Sequence, residues 1–226
     1  QGSRPIAMSL TGGLDSRIIM AWSPEVSGDF PCYTFNGPYR DCADARLAKR
    51  VAEACGHPHR ALSIADDFFS EFGSLAEKSI LLSDGAMDVT GAAELYLNRL
   101  VREIAPVRLT GNYGSEILRD YVAFRPGRDP LPGLDRSLAS QMTKAAGTYK
   151  NEFDVDRLSF IAFKQVPWHH YARASIERSQ LIVRSPYLDN DLVSLVYQAP
   201  PSAKSSLEGL LRLVAHGLPR LGRIPT

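Results

Sequence analysis

Short apolar runs alternate with amphipathic stretches through the first half of the chain. Apolar or strand-favouring residues cluster in four runs, at residues 5–10, 30–35, 60–64 and 106–110. Apolar positions recur at helical spacing in four further stretches, at residues 16–22, 41–55, 66–82 and 90–104. Strands that alternate with helices over short connections are typical of a parallel sheet with helices on both faces, so the pattern predicts an α/β fold.

The second half of the chain follows a different pattern. Residues 125–134 contain three prolines and two glycines, which predicts a loop or lid. Helical periodicity then returns in four stretches, at residues 134–146, 155–179, 189–198 and 206–216. Pro167 is expected to kink or split the second of these helices. We therefore predict an α/β core at residues 1–124 and a mostly helical portion of the same domain at residues 125–226.

Composition excludes several classes of partner. The 226 residues are 44% hydrophobic and 23% charged, which is ordinary for a soluble globular protein. A net charge of +1 provides no broad positive field, so no nucleic-acid partner is expected. No apolar run approaches the ~20 residues that cross a bilayer, so no membrane partner is expected. Cys32, Cys42 and Cys55 match no metal or haem spacing and indicate buried thiols in a reducing, cytoplasmic compartment.

The loop after the first predicted strand carries the strongest chemical signal. Gly12 and Gly13 allow a tight turn and a close approach of backbone N–H groups to a ligand. Thr11 and Ser16 add hydroxyl donors, and the helix that begins at Ser16 favours an anion at its N-terminus. The combination predicts a phosphate cradle. It is not a Walker A loop, because no Gly-Lys-Ser/Thr follows at the required spacing.

Asp15 is unexpected in a phosphate-binding loop, because its carboxylate repels an anion. Mg²⁺ binds carboxylate and phosphate oxygens together, so Asp15 predicts a metal-bound pyrophosphate. The alternative is that Asp15 or Ser16 only caps the helix that follows. Residues 111–116 follow another predicted strand. Because the carboxyl ends of parallel strands border one crevice, we expect residues 111–116 to lie beside the first loop.

The six residues of the first loop also carry a family resemblance. Thr11 through Ser16 resembles the Ser-Gly-Gly-x-Asp-Ser loop of the N-type ATP pyrophosphatases, with Thr in place of the first Ser. Within that superfamily the chain is most similar to the synthetase domain of the glutamine-dependent asparagine synthetases. Further similar segments lie at residues 33–56, 109–116, 184–189 and 210–219. Together the similar segments cover about residues 5–219.

The resemblance implies a fold, a reaction and a set of contacts. The fold is that of the adenine nucleotide alpha-hydrolases, and ATP adenylates a carboxylate, releasing pyrophosphate, before an amine attacks the acyl-adenylate and AMP leaves. The implied cofactors are ATP and Mg²⁺, and the implied substrates are aspartate or an analogue and ammonia or an amine donor. The implied site residues are Leu10 and Phe35 beside adenine, Thr110 and Gly111 on the nucleotide, Thr11, Gly12, Gly13, Asp15 and Ser16 around pyrophosphate, and Asp15 on the metal.

The second loop departs from the family pattern. Aligned without gaps, Asn112 stands where the family has Glu, and Ser115 stands where it has a metal-binding Asp. Asn cannot act as a base and Ser is a poor Mg²⁺ ligand, so only Glu116 remains of three carboxylates. We therefore predict Glu116 and Asp15 as the catalytic residues. The alternative for Glu116 is a first-turn glutamate that the helix dipole favours.

Two parts of the family architecture are expected outside these residues. The resemblance implies an N-terminal glutaminase domain of the same polypeptide as a partner. It also implies a lysine beyond the Leu-Pro segment, where this chain has Arg220 and Arg223 as phosphate-facing charges or as a solvated basic end. We therefore interpret the chain as a piece of a longer synthetase. The resemblance also allows a homodimer.

Several functions stay open at this stage. The chain is an asparagine-synthetase-like ligase, a specialised relative that closes an amide or lactam bond on another carboxylate, or a nucleotide-binding or scaffolding module without catalysis. The altered second loop motivates the last two. A tRNA-thiolating pyrophosphatase is disfavoured, because no cysteine pair or basic face supports it. His169 and His170 are adjacent on a helix and point different ways, which favours core or surface roles over a catalytic pair.

Overall fold

A parallel β-sheet of five strands organises the chain. The computed structural model describes residues 4–23, 30–37, 39–123, 132–153, 156–204 and 206–225. The strands are β1 (Ile6–Ser9), β2 (Cys32–Phe35), β3 (His59–Leu62), β4 (Val107–Thr110) and β5 (Ile182–Arg184). Their order across the sheet is β3-β2-β1-β4-β5, and every neighbouring pair is parallel. The four strands predicted from the sequence lie within two residues of β1 to β4.

Helices follow the strands in the order that the periodicity predicts. In the first half they are α1 (Leu14–Ala21), α2 (Ala43–Cys55), α3 (Asp67–Leu82), α4 (Gly91–Ile104) and α5 (Gly114–Arg119). In the second half they are α6 (Arg136–Phe153), α7 (Arg157–Phe160), α8 (Val166–His169), α9 (Tyr171–Gln180), α10 (Asn190–Gln198), α11 (Pro201–Lys204) and α12 (Glu208–Gly217). Among the described residues, no helix is both long enough and apolar enough to cross a membrane.

The two faces of the sheet bury different clusters of side chains. Successive residues of a strand point to opposite faces, and β1 shows this clearly. Met8 packs with residues of α1, α2 and α12, whereas Ala7 packs with Tyr33 and the end of α4. A further cluster joins α3, α4 and α9. Both faces are therefore covered by helices, and the predicted α/β fold is confirmed.

Three features of the second half differ from the prediction or lie beyond it. β5 pairs with β4 and is not among the four predicted strands. Its three residues form too short an apolar run to be distinguished from the helix that precedes it. The single helix predicted at residues 155–179 is divided into α7, a π-helical turn at Ile161–Gln165, α8 and α9. Pro167 lies in the first turn of α8, so the expected interruption is found around it. The loop or lid predicted at residues 125–134 lies outside the described residues except for its last three positions.

The cysteines only partly follow the sequence-based expectation. Cys32 is buried in β2, whereas Cys42 and Cys55 are half-buried. Cys42 precedes α2, and its Sγ accepts a hydrogen bond from the N–H of Ala45 (3.4 Å). The prediction of three buried thiols is therefore wrong for two of them, because Cys42 and Cys55 lie at the two ends of α2.

The strand order places a crevice beside β1. After β1 the chain builds β2 and β3 on one side, and it then returns to place β4 on the other side. Adjacent connections therefore leave β1 and β4 in opposite directions. In open parallel sheets, ligands bind at this switch point, outside the carboxyl ends of the strands. The segments that follow β1 and β4 are residues 10–13 and 111–113, which belong to the two loops that the sequence marks.

Candidate functional site

A cavity of about 320 Å³ opens at the carboxyl ends of β1 and β4. Its walls come from the ends of these strands, from the two loops and from α9. It is lined by Ser9, Thr11, Gly13, Asp15, Ser16, Arg108, Thr110, Gly111, Asn112, Tyr113, Glu116, His170 and Arg173. Seven residues predicted from the sequence lie here, namely Thr11, Gly13, Asp15, Ser16, Thr110, Gly111 and Glu116. The structure therefore brings the two loops together around one cavity.

The first loop is held in shape by the Ser16 side chain. Ser16 is buried, and its Oγ lies 3.2 Å from the Thr11 carbonyl oxygen and accepts the Thr11 N–H at the same distance. The Gly13 N–H donates to Thr11 Oγ1 (3.2 Å). Gly13 is the residue that precedes α1, and no side chain caps that end. The alternative that Asp15 or Ser16 caps the helix is therefore contradicted, because both residues lie inside the first turn of α1.

Asp15 joins the first loop to the second. The Ser115 hydroxyl donates to its carboxylate at 2.9 Å from Oδ2 and 3.2 Å from Oδ1. The Tyr187 hydroxyl donates to the Asp15 backbone carbonyl at 2.6 Å. Burial raises the pKa of Asp15, and the hydrogen bonds from Ser115 oppose that rise in part. The carboxylate is therefore held in place but carries a desolvation cost that a cation would offset.

Two glycines of the second loop permit this close approach. A Cβ atom at Gly111 would lie 2.6 Å from the backbone nitrogen of Ser16. A Cβ atom at Gly114 would lie 2.6 Å from Cβ and Cγ of Asp15. At Gly111 the obstacle is backbone, so no change of rotamer relieves it. Side chains at these positions would push the two loops apart.

Substitution of Gly111 by alanine is expected to lower the free energy of unfolding by about 1–3 kcal/mol, because a methyl group is forced into packed backbone. The measurement is denaturant unfolding followed by circular dichroism. The matched control is Gly73→Ala in α3, where a Cβ atom meets nothing within 4 Å. That variant should gain up to about 1 kcal/mol from helix propensity. Equal stabilities for the two variants would contradict the close packing of the loops.

Glu116 lies on the cavity wall beside a histidine that the sequence interpretation set aside. His170 Nε2 is 3.6 Å from Glu116 Oε1, and the His170 ring packs edge-on against Tyr113. Burial raises the pKa of Glu116, and the negative charge of Asp15 raises it further. Burial lowers the pKa of His170, as do the charges of His169 and Arg173. Burial therefore disfavours the charged form of both side chains at the cavity.

His170 therefore lines the cavity, a position that the sequence did not indicate, while His169 is exposed. The short helix α8 ends at His169, and α9 begins at Tyr171. His170 sits in the break between them, so helical periodicity carries no information about its direction. A signal was available in Pro167, which indicates an interruption close to this residue.

Two arginines of the cavity wall are also unmarked in the sequence. Arg108 in β4 is buried and forms an ion pair with Glu177 of α9 (3.2 Å). It also donates to Ser9 Oγ at 3.0 Å. Arg173 pairs with Glu94 (2.9 Å) near the cavity mouth. Both guanidinium groups have carboxylate partners, so they shape the wall without adding an unbalanced positive charge.

Three residues predicted to contact the nucleotide do not line the cavity. Leu10 is fully buried beneath the loop as part of the core, and Gly12 turns its N–H toward Asp44 Oδ1 (3.1 Å). Phe35 is half-buried, with its ring 5.6 Å from the Arg108 guanidinium carbon. Leu10 and Gly12 therefore hold the first loop through contacts on the side away from the cavity. Phe35 contacts Arg108, which itself lines the cavity. Their contacts with a nucleotide stay predictions.

The described residues contain no cluster of three or more His, Cys, Asp or Glu side chains that could hold a metal by itself. Asp15 is the only carboxylate in the first loop, and Ser115 donates to it without adding a second carboxylate. Mg²⁺ in nucleotide enzymes is commonly bound by one or two carboxylates together with substrate phosphates. The donor set therefore fits a cation that arrives with phosphate, and it does not fit a metal site made of protein groups alone.

Comparison with solved structures finds only distant similarity. Structures that align with it are NMN synthetase from Francisella tularensis (15% identity, 99% of this chain and 88% of that chain, TM-score 0.36) and NH3-dependent NAD synthetase from Campylobacter jejuni (13%, 92% and 88%, 0.34). A third is the U34-tRNA thiolase NcsA from Methanococcus maripaludis (13%, 100% and 75%, 0.38). Alignments with TM-scores this low carry no argument here.

Among the curated proteins compared with the chain, none matches it. The assignment therefore depends on the family model described as asparagine synthase, which matches residues 1–154. That match covers both loops of the cavity and the four strands β1 to β4. The chain therefore belongs to the asparagine synthase family, which indicates an ATP-utilising enzyme.

Proposed function

We propose that the chain is the synthetase portion of an ATP-dependent amide-forming ligase that adenylates a carboxylate and transfers the acyl group to an amine. One observation carries the proposal: the loop at residues 11–16 and the loop at residues 110–116 line the same cavity. The first loop has the chemistry of a phosphate cradle. The second supplies groups that face the position where an adenylate would form.

The first step needs the phosphates to be positioned and their charge neutralised. Gly13 and the start of α1 lie at the cavity, backbone N–H groups at a helix N-terminus favour an anion, and Thr11 and Ser16 add hydroxyl groups. Asp15 would hold Mg²⁺, which would supply charge neutralisation between the carboxylate and the leaving pyrophosphate. Thr110 and Gly111 would contact the nucleotide. Catalysis of this type is mainly orientation and electrostatic stabilisation.

The second step needs a proton acceptor, and we assign that role to the pair formed by His170 and Glu116. The amine nitrogen attacks the acyl carbon, and its proton passes to the His170 imidazole, whose Nε2 faces Glu116. The bond between the acyl carbon and the phosphate oxygen breaks, and AMP leaves with that electron pair. Glu116, 3.6 Å from His170, stabilises the imidazolium that forms. This pair would replace the base that the family carries where Asn112 stands.

The altered second loop favours a second candidate function. Asn112 lines the cavity but cannot accept a proton as a base. The Ser115 hydroxyl already donates a hydrogen bond to Asp15. A domain that binds ATP without turnover would tolerate both changes. The same changes are compatible with a ligase for a carboxylate other than aspartate. These candidates differ in what they do with an acid, so one measurement separates them.

Carboxylate-dependent exchange of labelled pyrophosphate into ATP is that measurement, made on the chain together with any neighbouring domains of its natural polypeptide. Exchange with aspartate is the expected result for an asparagine-synthetase-like enzyme, and exchange with another acid identifies the specialised ligase. Binding of Mg·ATP without exchange for any acid would overturn the proposed ligase activity and favour the nucleotide-binding module. Subtraction of the exchange seen without acid provides the control.

A further inference from the structure

Arg17 lies in α1 immediately after the first loop and is almost completely buried, at 1% exposure. Its guanidinium donates to three backbone carbonyl groups. The acceptors are the carbonyl oxygens of Ile224 (2.6 Å), Gly12 (2.7 Å) and Pro225 (3.0 Å). One side chain therefore connects the first loop to a segment more than 200 positions further along the chain.

Within the described residues, no carboxylate forms an ion pair with Arg17. Burial lowers the pKa of its guanidinium, and the nearby positive charge of Arg50 lowers it further. A buried cation without a carboxylate is costly, whereas three carbonyl groups can be satisfied by neutral donors. A purely structural tie therefore does not require a charge here. The unbalanced charge points to an anion that binds on the other side of the loop.

The Gly12 carbonyl connects Arg17 to the cavity. This carbonyl belongs to the peptide group whose N–H is that of Gly13, and Gly13 lines the cavity. A charged donor on the carbonyl oxygen polarises the peptide and strengthens its N–H as a donor. The same bond fixes the plane of the peptide. The Gly13 N–H now donates to Thr11 Oγ1, a group that lies on the same wall.

We propose that Arg17 is a positioning residue for anion binding: through the Gly12 carbonyl it orients and polarises the Gly12–Gly13 peptide toward the phosphate groups of the nucleotide. The carbonyl groups of Ile224 and Pro225 brace the guanidinium, so the end of the described chain supports the loop. The inference rests on the proposed function, specifically on the binding of nucleotide phosphates at this loop.

The test measures the affinity for inorganic pyrophosphate and for ATP, each with Mg²⁺, by isothermal titration calorimetry. Arg17→Gln keeps a donor but removes the charge, and it should weaken both ligands by about 10–100-fold, the range expected for a charge-assisted hydrogen bond. Arg17→Lys keeps the charge but loses the guanidinium fork, so it should recover affinity only to within about tenfold of the wild type. Arg50→Gln is the matched control, because it removes an exposed positive charge beside Arg17 and should change affinity by less than about twofold.

A second comparison separates positioning from general stability. Val51→Ala in α2 removes part of a fully buried side chain and lowers the thermal midpoint without touching the loop. If Arg17 acts on the anion, its neutral variant loses affinity and Val51→Ala does not. Equal affinities of Arg17→Gln and the wild type would overturn this inference and leave the proposed function standing. Equal losses of affinity in Arg17→Gln and Val51→Ala would do the same.

If Arg17→Gln does not fold, Arg17→Lys carries the test, and a loss above tenfold despite the retained charge would overturn the polarising role. Failure of the wild type to bind either pyrophosphate or ATP would contradict the proposed function itself, and this inference with it. The two failures are therefore distinguishable in one set of titrations. Retained wild-type binding with selective loss in the neutral variant supports both.

Discussion

Substitution of Asp15 by asparagine is expected to weaken the binding of Mg·ATP by about 10–100-fold, because a carboxylate ligand is lost from the cation between protein and phosphate. The side chain keeps its size, and Ser115 still has an oxygen to which it can donate. The change therefore removes charge with little change of shape. The structural basis is the position of Asp15 in the first loop, where it lines the cavity.

The measurement is calorimetric titration of ATP with Mg²⁺ and, separately, of ATP with a chelator. If Asp15 binds the cation, the two conditions differ strongly in the wild type and converge in the variant. Ser115→Ala is the matched control, because it removes the hydrogen bond and leaves the carboxylate. It should lower affinity by less than about fivefold, the loss of one ordinary hydrogen bond. Equal affinity of wild type and Asp15→Asn for Mg·ATP would sink the metal role of Asp15.

The same substitution should raise stability at neutral pH in the absence of ligand. Burial holds the pKa of Asp15 above its ordinary value of 3.8. A carboxyl group with a raised pKa in the folded state contributes stability below its unfolded pKa and loses it as pH rises through the folded pKa. At pH 7 the ionised side chain is therefore a net cost, and asparagine removes it. A higher thermal midpoint together with weaker Mg·ATP binding would show that the carboxylate is retained for function and not for folding.

The first loop was predictable because its chemistry lies in consecutive residues. Gly12, Gly13 and Asp15 stand within four positions, between a strand and a helix that periodicity alone identifies. The meeting of this loop with Glu116 was predictable too, because parallel strands bring their carboxyl ends to one edge. Local pattern and sheet geometry together therefore predict the part of the cavity that the two loops form.

The wall contributed by α9 and its preceding break was not predictable from such patterns. Arg108 interrupts a short strand with a charge, and only the fold brings Glu177 to it from a helix that the periodicity could not orient. His170 stands in a break between two helices, where no repeat applies. Arg17 reads as an ordinary helical residue, and its role depends on carbonyl groups near residue 225. Contacts between positions distant in the chain are set by tertiary packing, and one sequence contains no record of them.

Depth in the sheet explains why Leu10 and Phe35, which the resemblance places beside adenine, do not line the cavity. Leu10 continues β1, and its side chain points into the cluster formed with α1 and α2. Phe35 ends β2, one strand away from the switch point between β1 and β4. Resemblance transfers a residue type to a position, whereas exposure to the cavity depends on the local twist and on neighbours such as Arg108.

Substitution of His170 by glutamine is expected to lower the rate of amide formation by about 10²–10⁴-fold, the usual contribution of a general base. The acyl-adenylate forms before the amine attacks, so pyrophosphate exchange should fall by less than about threefold in the same variant. Glu116→Gln should show the same division with a smaller loss, since it removes the group that stabilises the imidazolium. His169→Gln is the matched control, because His169 is exposed and does not line the cavity, and at a pH well above the pKa of His170 it should leave both rates within about twofold of the wild type.

The pH dependence gives an independent readout of the same role. The burial of His170, aided by the charges of His169 and Arg173, holds its pKa below 6.5. A base must be unprotonated to accept a proton, so amide formation should decline only as pH falls through that lowered value. Hydroxylamine provides a small acceptor for the assay, with the acid that supports exchange in the wild type. An unchanged pH profile in His170→Gln, or equal losses in exchange and in amide formation, would show that His170 shapes the cavity and does not take the proton. A lost acidic limb together with preserved exchange would place the proton on His170, because no step before the attack of the amine requires it.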